Sequence, residues 1–240
     1  SLVVCWFGDD LRVNRCAVRP KVERTDADGS MPWLVSGVAR AAAQVVPQVE
    51  GHAVYGGTPT DQSVVQAIRE VRARGVAVMF YPFILMDQLA GNALPNPYGG
   101  ASQPPLPWRG RITLSTAPGR AGSPDGTAAA EAEVRAFFGA CLPSHFAASG
   151  DAVAYSGPEE WSFRRMILHY ARLCAAAGGV DAFCIGTEMR GLTWIRGANG
   201  SFPAVARLRT LAAEVKAILP GAKITYAADW SEYAGYQPEN

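Results

Sequence analysis

The sequence predicts an α/β protein built on a parallel β-sheet. Two observations predict it: short apolar runs alternate with helical patterns along the chain, and the run at 180–188 is apolar at most positions. Alternating strands and helices are typical of parallel sheets, and a strand covered on both faces is apolar along its length. The chain has 240 residues, 49% hydrophobic and 18% charged, which is enough for one domain with a full core and excludes a disordered chain.

Four apolar runs have the length of a strand and end at turn-forming or polar residues. These predicted strands cover 2–7, 76–84, 181–186 and 223–228. Two weaker runs lie at 52–55 and at 112–114, the second as part of a small hairpin. Four confident strands are about half of what a closed eight-stranded barrel requires.

Apolar residues at helical spacing predict helices between these strands. The helices are expected at 35–46, 62–74, 128–138, 158–177 and 203–219. In the clearest of them Val64, Ile68 and Val71 share one face, and Thr60 with Asp61 supplies the N-terminal cap. A helix that leads directly into a parallel strand is the unit from which such sheets are built.

Residues 91–127 are rich in Gly, Pro, Ser and Asn and are predicted to form a long loop inserted at the end of a strand. Loops of this length are usually functional or disordered, and Trp108, Arg109 and Arg111 favour a functional one. We find no internal repeat and no linker, so 1–240 is treated as one domain. The sequence begins within one strand and ends just after another, which predicts a segment of a longer domain.

Composition excludes several classes of function. Lys and Arg number 22 and Asp and Glu 21, and the charges are interspersed, so there is no basic surface of the kind that binds nucleic acid or membrane. No apolar run approaches the roughly 18 residues of a membrane span, and the N-terminus lacks the plan of a signal peptide. We therefore expect no nucleic-acid partner and no membrane insertion.

Cysteine and histidine spacing predicts neither a metal site nor a cofactor. The five cysteines include no CxxC pair, and the positions of Cys5, Cys174 and Cys184 in apolar patterns favour buried free thiols over a disulfide framework. The three histidines are scattered, and His169 lies within a helical pattern where packing is the default. The glycines at 56–57 lack the Lys of a phosphate loop, and there is no GxSxG motif.

Glu188 stands at the tip of the most apolar strand, where parallel barrels place their chemistry. Glycoside hydrolysis requires a pair of carboxylates, and an acid above an apolar strand and beneath an aromatic ring is suited to be the proton donor. The alternative is a structural role, in which Glu188 forms an ion pair, for instance with Arg190.

Other carboxylates follow predicted strands and converge on the same edge if the sheet is parallel. They are Asp9, Asp10, Asp87, Asp229 and Glu232. Aromatic residues that could stack on sugar rings lie nearby in sequence; they are Tyr81, Phe83, Trp108, Trp194, Trp230 and Tyr233. For any one aromatic residue, packing in the core is the alternative.

Several stretches resemble mannanase-like retaining glycoside hydrolases. The segments 58–61 (TPTD) and 75–82 (GVAVMFYP) resemble their third strand unit, 183–189 (FCIGTEM) the fourth strand and 224–230 (ITYAADW) the fifth. The segment 2–7, which ends in Trp6 and Phe7, then fits the second. The resemblance implies a TIM-type (β/α)8 barrel of which about strands two to five lie in this chain.

The whole chain more closely resembles the glycoside-hydrolase-like TIM-barrel domain of the tail hub protein of gene transfer agents and related prophages. The motifs that carry this resemblance are 81–87 (YPFILMD), 107–113 (PWRGRIT) and 155–161 (YSGPEEW). It implies a place in the tail of a phage-like particle, made in the bacterial cytoplasm and released on lysis. It also implies a cell-wall or cell-surface glycan as target and other tail or baseplate proteins as partners.

The resemblance implies that Glu188 is the catalytic acid/base. The nucleophilic Glu of such enzymes follows the seventh strand, which would lie beyond Asn240, so the fragment itself is expected to be inactive. Asp229 occupies a position at which the mannanase-like enzymes typically carry Asn. The residues expected to contact glycan are Trp6, Asp9, Tyr81, Asp87, Trp108, Arg190, Trp194, Asp229, Trp230 and Glu232.

Two hypotheses of different classes follow. In the first the chain is a retaining glycoside hydrolase domain, and in the second it is a structural or glycan-binding tail module without turnover. An α/β enzyme of unrelated chemistry is a weaker third, because no cofactor motif is present.

Overall fold

The computed structural model describes residues 1–26 and 29–233, and its main feature there is a five-stranded sheet. The strands are β1 (Leu2–Gly8), β2 (Val18–Arg19), β3 (Met79–Met86), β4 (Ala182–Thr187) and β5 (Lys223–Ala227). Their order is β5-β4-β3-β1-β2, and all neighbours are parallel except β2, which runs antiparallel to β1 at the edge. The predicted α/β class with a parallel sheet is confirmed, and the described residues form no closed barrel.

Five α-helices accompany the sheet in the described residues. They are α1 (Asp61–Ala73), α2 (Ala128–Phe138), α3 (Phe163–Ala176), α4 (Arg190–Thr193) and α5 (Pro203–Ile218). The central one, α3, contacts α1, α2, α5 and β3, and ten of its fourteen residues are buried. Because burial of apolar surface contributes about 25 cal/mol per Å², the buried face of α3 contributes to the stability of the core.

The two faces of the sheet are covered differently. Along β3, Phe80, Ile84 and Met86 are buried against the helices, whereas Tyr81 and Phe83 point to the other face and are partly exposed. In β4 every residue from position 183 to 187 is buried, as its apolar sequence predicts. The alternation in β3 is typical of a sheet packed on one side only.

Strands β3 and β4 separate toward their carboxyl ends. Their pairing covers only Ala182 opposite Met79 and Phe183 opposite Phe80, and the register between β4 and β5 also shifts between Cys184 and Thr187. The residues at the carboxyl end of β4 therefore lack a complete set of backbone hydrogen-bond partners on β3. This gap is the place where the candidate functional site is built.

The remaining regular structure consists of short strand pairs and 3-10 turns. The pairs are Lys21–Val22 with Gln44–Val45, Leu34–Val35 with Val38–Ala39, Gln48–Val49 with His52–Ala53, and Phe146–Ser149 with Ala152–Tyr155. The 3-10 turns are Arg40–Ala42, Arg109–Arg111, Pro143–His145, Ala198–Gly200 and Trp230–Glu232.

The predicted helix at 35–46 is wrong. Ser36 and Gly37 both have positive φ (51° and 80°) and form a tight hairpin turn, which ends any helical run at its start. The hairpin predicted at 112–114 is also wrong, since Thr113 instead makes a single parallel bridge with Arg12. The helix expected from 158 begins only at Phe163, because the Ser162 hydroxyl caps it by accepting from the Arg165 N–H.

The other predicted elements are present within three residues of their expected ends. All five cysteines are free, as the sequence favours. His169 packs in the core, where its Nε2 atom lies 3.0 Å from the buried Asp61 carboxylate. Residues 234–240, at which the segment was expected to end, lie outside the described residues.

Candidate functional site

Glu188 follows β4 directly and has a left-handed backbone, with φ of +50°. Its own N–H donates to the Ala227 carbonyl of β5 (2.8 Å), and the next N–H, of Met189, donates to the Tyr226 hydroxyl (2.8 Å). A left-handed conformation is unfavourable for a residue with a side chain, by roughly 1–2 kcal/mol, so it persists only where neighbours impose it. Strain of this kind concentrates at functional sites.

The Glu188 carboxylate is held by two donors from the 91–127 loop. Its Oε2 atom accepts from the Trp108 indole N–H (2.9 Å) and forms an ion pair with Arg109 Nη2 (2.8 Å). About a third of the Glu188 side chain stays exposed. A donor and a cation on one oxygen fix the orientation of the carboxylate. The partner named in the structural alternative, Arg190, forms no ion pair with it.

Arg109 occupies the gap between β3 and β4. Its Nε and Nη2 atoms donate to the Thr187 carbonyl (3.0 Å) and hydroxyl (3.1 Å), and its guanidinium lies 3.7 Å from the centroid of the Phe83 ring. Burial lowers the pKa of Arg109, an effect that the nearby Glu188 opposes. Arg109 therefore completes the polar contacts of the β4 tip and fixes the direction of the acid.

Tyr81 lies in the same group. Its hydroxyl shares a 2.6 Å hydrogen bond with Thr187 Oγ1, the atom that also accepts a hydrogen bond from Arg109 Nη2. The structure therefore brings the predicted residues Tyr81 and Trp108 together with Glu188.

The turn after β5 carries three further predicted residues. Glu232 Oε1 accepts from the Thr193 hydroxyl (3.0 Å) and the Tyr226 hydroxyl (2.9 Å), and its Oε2 accepts from the Asp229 N–H (2.8 Å). Hydrogen bonds from Ser231 hold the pKa of Asp229 below its usual range. Trp230 is 82% exposed, so this turn presents an indole to solvent beside α4.

Three predicted residues lie elsewhere. Trp6 is fully buried in the core, where its indole donates to Tyr170 (3.0 Å). Asp87 pairs with Lys21 (2.6 Å), and Asp9 accepts from the Ala17 N–H (2.8 Å). Burial raises the pKa of both aspartates. In the described residues, no hydrogen bond or ion pair joins these three to Glu188.

A cavity of about 610 Å³ opens on the other side of Trp108. Its aromatic walls are Tyr98, Trp108 and Trp194, and the predicted residue Arg190 lies over the Trp194 ring at 4.0 Å. The volume is within the range of ligand pockets in proteins. Glu188 and the cavity are thus neighbours that share the indole of Trp108.

Two glycines allow the walls to approach. A Cβ at Gly110 would lie 2.3 Å from the Trp108 ring, and one at Gly191 would lie 2.7 Å from the Ile112 carbonyl. Real Cβ atoms are not found at such distances, so the Trp108 ring lies against Gly110, and α4 packs against the Arg109–Arg111 turn at Gly191, only because these positions are glycine.

Sequence reasoning missed the roles of Arg109, Tyr226 and Tyr98. Arg109 was noted only as one of the residues that favour a functional 91–127 loop and as part of the 107–113 motif, and nothing in the sequence pairs it with β4. Within 1–26 and 29–233, no group of three or more His, Cys, Asp or Glu residues is arranged to hold a metal ion. The same residues include no helix with the length and apolarity of a membrane span.

Comparison with known proteins relates the last third of the chain to a protein family. A search of the curated proteins found none similar to this chain. A family model matches residues 161–240, a stretch that includes α3, β4, Glu188, the Arg190–Trp194 pair and the turn with Asp229 and Glu232, but not Trp108. That model is described as the GTA TIM-barrel-like domain, and the last third of the chain is therefore similar to this domain.

Proposed function

We propose that the chain is a glycoside-hydrolase-like domain that acts on cell-envelope glycan. The observation that carries the proposal is Glu188: a strained acid at the carboxyl end of a parallel strand, oriented by Trp108 and Arg109, next to a cavity with indole walls. Indole faces suit the apolar C–H faces of sugar rings, and the carboxyl ends of strands are where α/β folds place their chemistry.

The proposed reaction is hydrolysis with retention. Glu188, once protonated, would donate its proton to the leaving glycosidic oxygen and afterwards remove a proton from the attacking water. Retention needs a second carboxylate about 5–5.5 Å from the first as nucleophile. The sequence resemblance assigns this nucleophile to a position beyond Asn240, so turnover is a property to be measured on the full-length protein.

The proposal also covers the place of the domain. We infer that β1, β3, β4 and β5 are strands two to five of an eight-stranded barrel, and that the barrel is part of the tail hub of a phage-like particle. The parallel strands in sequence order and the family match at 161–240 support this. The glycan target and the tail and baseplate partners are inferred from the resemblance.

A second candidate function is glycan binding without turnover. The observation that favours it is the contact of Trp108 and Arg109 with the same oxygen of Glu188. Both contacts use that oxygen as an acceptor, which is the role Glu188 would have in binding without proton transfer. In this case Glu188 would accept hydrogen bonds from sugar hydroxyls.

The test uses the full-length protein, its Glu188→Gln variant and a Glu70→Gln control, which removes an exposed carboxylate from α1. Each is incubated with peptidoglycan and with mannan, and released sugar and bound protein are measured. Loss of a general acid lowers the rate by about 10²–10⁴-fold, so we expect release to fall by this factor only in Glu188→Gln. Equal release from all three would refute the role of Glu188, and binding without release from any would establish the second candidate.

A further inference from the structure

The cavity beside Trp108 contains two arginines, each stacked on an aromatic ring. The guanidinium of Arg111 lies over the Tyr98 ring (4.6 Å) and that of Arg190 over the Trp194 ring (4.0 Å). In the described part of the chain neither forms an ion pair, whereas a third arginine of the cavity, Arg196, is paired with Asp125. The cavity lining therefore carries three arginines and one carboxylate, Asp125, and Arg190 also interacts with the charge of Asp229 from outside the lining.

One donor of Arg190 has no partner among the described residues. Its Nε–H is buried and donates no hydrogen bond there, although the guanidinium lies over the Trp194 ring. A buried donor left unsatisfied is unfavourable, and such groups in native proteins call for an explanation. Because Nε is closed to solvent, a ligand in the cavity can meet Arg190 only through the other nitrogens of the guanidinium.

Arginines stacked on rings are suited to bind carboxylates. A guanidinium that lies over an aromatic face keeps its N–H groups available at its rim and is held in one orientation, which is the geometry for a bidentate pair with a carboxylate. Lysine, a rotating point charge, lacks this geometry. The stacking on Tyr98 and Trp194 therefore prepares Arg111 and Arg190 to receive a planar anion.

The same cavity has walls for a sugar ring. Trp108 and Trp194 both line it, and Trp108 connects it to Glu188 through the indole N–H. We propose that this cavity binds a carboxylated sugar, with the pyranose against the indoles and the carboxylate on Arg111 and Arg190. The proposal rests on the proposed function, because it assigns the substrate class of that site. Two sources supply this chemistry: a uronate residue and the lactyl carboxylate of muramic acid.

Binding of defined probes to the full-length protein tests the proposal. Tetragalacturonate is compared with neutral galactotetraose, and N-acetylglucosaminyl-N-acetylmuramic acid with chitobiose, by calorimetry. A charged hydrogen-bonded pair corresponds to about tenfold or more in affinity, so we expect one acidic probe to bind at least about tenfold more tightly than its neutral partner. The pair that shows the preference identifies the source. Acetate and inorganic phosphate are expected to compete only weakly, and equal competition by either would overturn the assignment to a sugar.

Variants locate the effect. Arg111→Gln and Arg190→Gln are each expected to remove most of the preference for the acidic probe, and circular dichroism checks that each variant is folded. Arg190→Lys, which keeps the charge but not the fork, is expected to restore only part of it. Arg74→Gln, an exposed arginine of the α1 region, is the control and should leave the preference intact.

The outcomes separate this inference from the proposed function. If neither acidic probe is preferred, or if the preference survives both glutamine variants, the inference is wrong, even where sugar release depends on Glu188. If the preference is present and depends on Arg111 and Arg190 while no sugar is released, the inference stands and only turnover is lost.

Discussion

Replacing Arg109 by Met is the perturbation that most directly tests how the site is built. Met retains much of the apolar volume against Phe83 but removes the guanidinium, which joins Thr187 and Glu188. The substitution leaves the Thr187 carbonyl in the gap between β3 and β4 without its donor. It also leaves Glu188 with Trp108 as its remaining donor among the described contacts.

The magnitude follows from three contributions. Two hydrogen bonds from a charged donor stabilise by about 1.5–3 kcal/mol each. The pair with Glu188 adds about 0–1 kcal/mol, because the carboxylate is partly exposed and screened by solvent. Removing the buried guanidinium recovers several kcal/mol of desolvation, the cause that lowers the pKa of Arg109. The net expectation is a loss of about 2–3 kcal/mol in the free energy of unfolding.

Urea denaturation of the parent chain and the variant measures this loss. Arg74→Met is the matched control: this arginine pairs with Glu70 on the surface, and its loss should change the free energy of unfolding by less than about 0.5 kcal/mol. The slope of the transition should be the same in all three proteins, since none alters the surface exposed on unfolding. A loss below about 1 kcal/mol for Arg109→Met would show that Arg109 does not hold the β4 tip.

Three further predictions concern packing, pH and thiols. Gly191→Ala places a Cβ 2.7 Å from the Ile112 carbonyl and should lower the free energy of unfolding by about 1–3 kcal/mol. The control Gly221→Ala, which has open space around its Cβ, should change this free energy little. Equal effects of the two substitutions in urea denaturation would contradict the close contact at Gly191. Burial raises the pKa of Asp9 in the folded chain above its ordinary 3.8, so ionisation of Asp9 favours the unfolded chain and stability is lost as pH rises through the raised value. The Asp9→Asn variant should lack this loss. Stability curves of the parent chain and the variant that run parallel between about pH 3 and 7 would refute the prediction. Burial raises the pKa of Cys5 to about 11 and of Cys141 to about 12. At neutral pH iodoacetamide should therefore label these two cysteines far more slowly in the folded chain than in the urea-unfolded chain, which mass spectrometry measures. Equal labelling rates would contradict the burial of the two thiols.

Local patterns were sufficient to predict most of the elements but not all of their ends. The strand at 182–187 and the helix at 203–218 follow from apolar runs and helical spacing, which depend only on residues close in sequence. The false helix at 35–46 has the same cause, because its apolar spacing outweighed the Ser-Gly turn at 36–37 in the interpretation. The pairing of β3 with β4 ends at Phe183, and no local sequence pattern predicts where that pairing ends.

The candidate site was predictable only in part. The position of Glu188 follows from its strand, and Trp108 was expected only as one of the aromatic residues that contact the glycan. The contact between Arg109 and Thr187 spans 78 residues of sequence, and it exists because β3 and β4 separate and leave a carbonyl without a partner. The strained backbone of Glu188 is likewise fixed by Ala227 and Tyr226, from a strand that comes later in the chain. Contacts of this kind arise from tertiary packing, which a single sequence does not display.

The structure divides the site between two elements with different constraints. The sheet supplies Glu188 and Thr187, whose positions depend on strand pairing and buried contacts. The 91–127 loop supplies Tyr98, Trp108 and Arg111, which line the cavity. Changes at Tyr98 or Arg111 can therefore alter which ligand the cavity accepts while the acid stays in place, whereas Trp108 and Arg109 both contact the Glu188 carboxylate and Arg109 also completes the β4 tip. Replacing Tyr98 or Arg111 should change ligand binding and leave the contacts of Glu188 intact, and replacing Arg109 should lower the free energy of unfolding by about 2–3 kcal/mol, as for Arg109→Met.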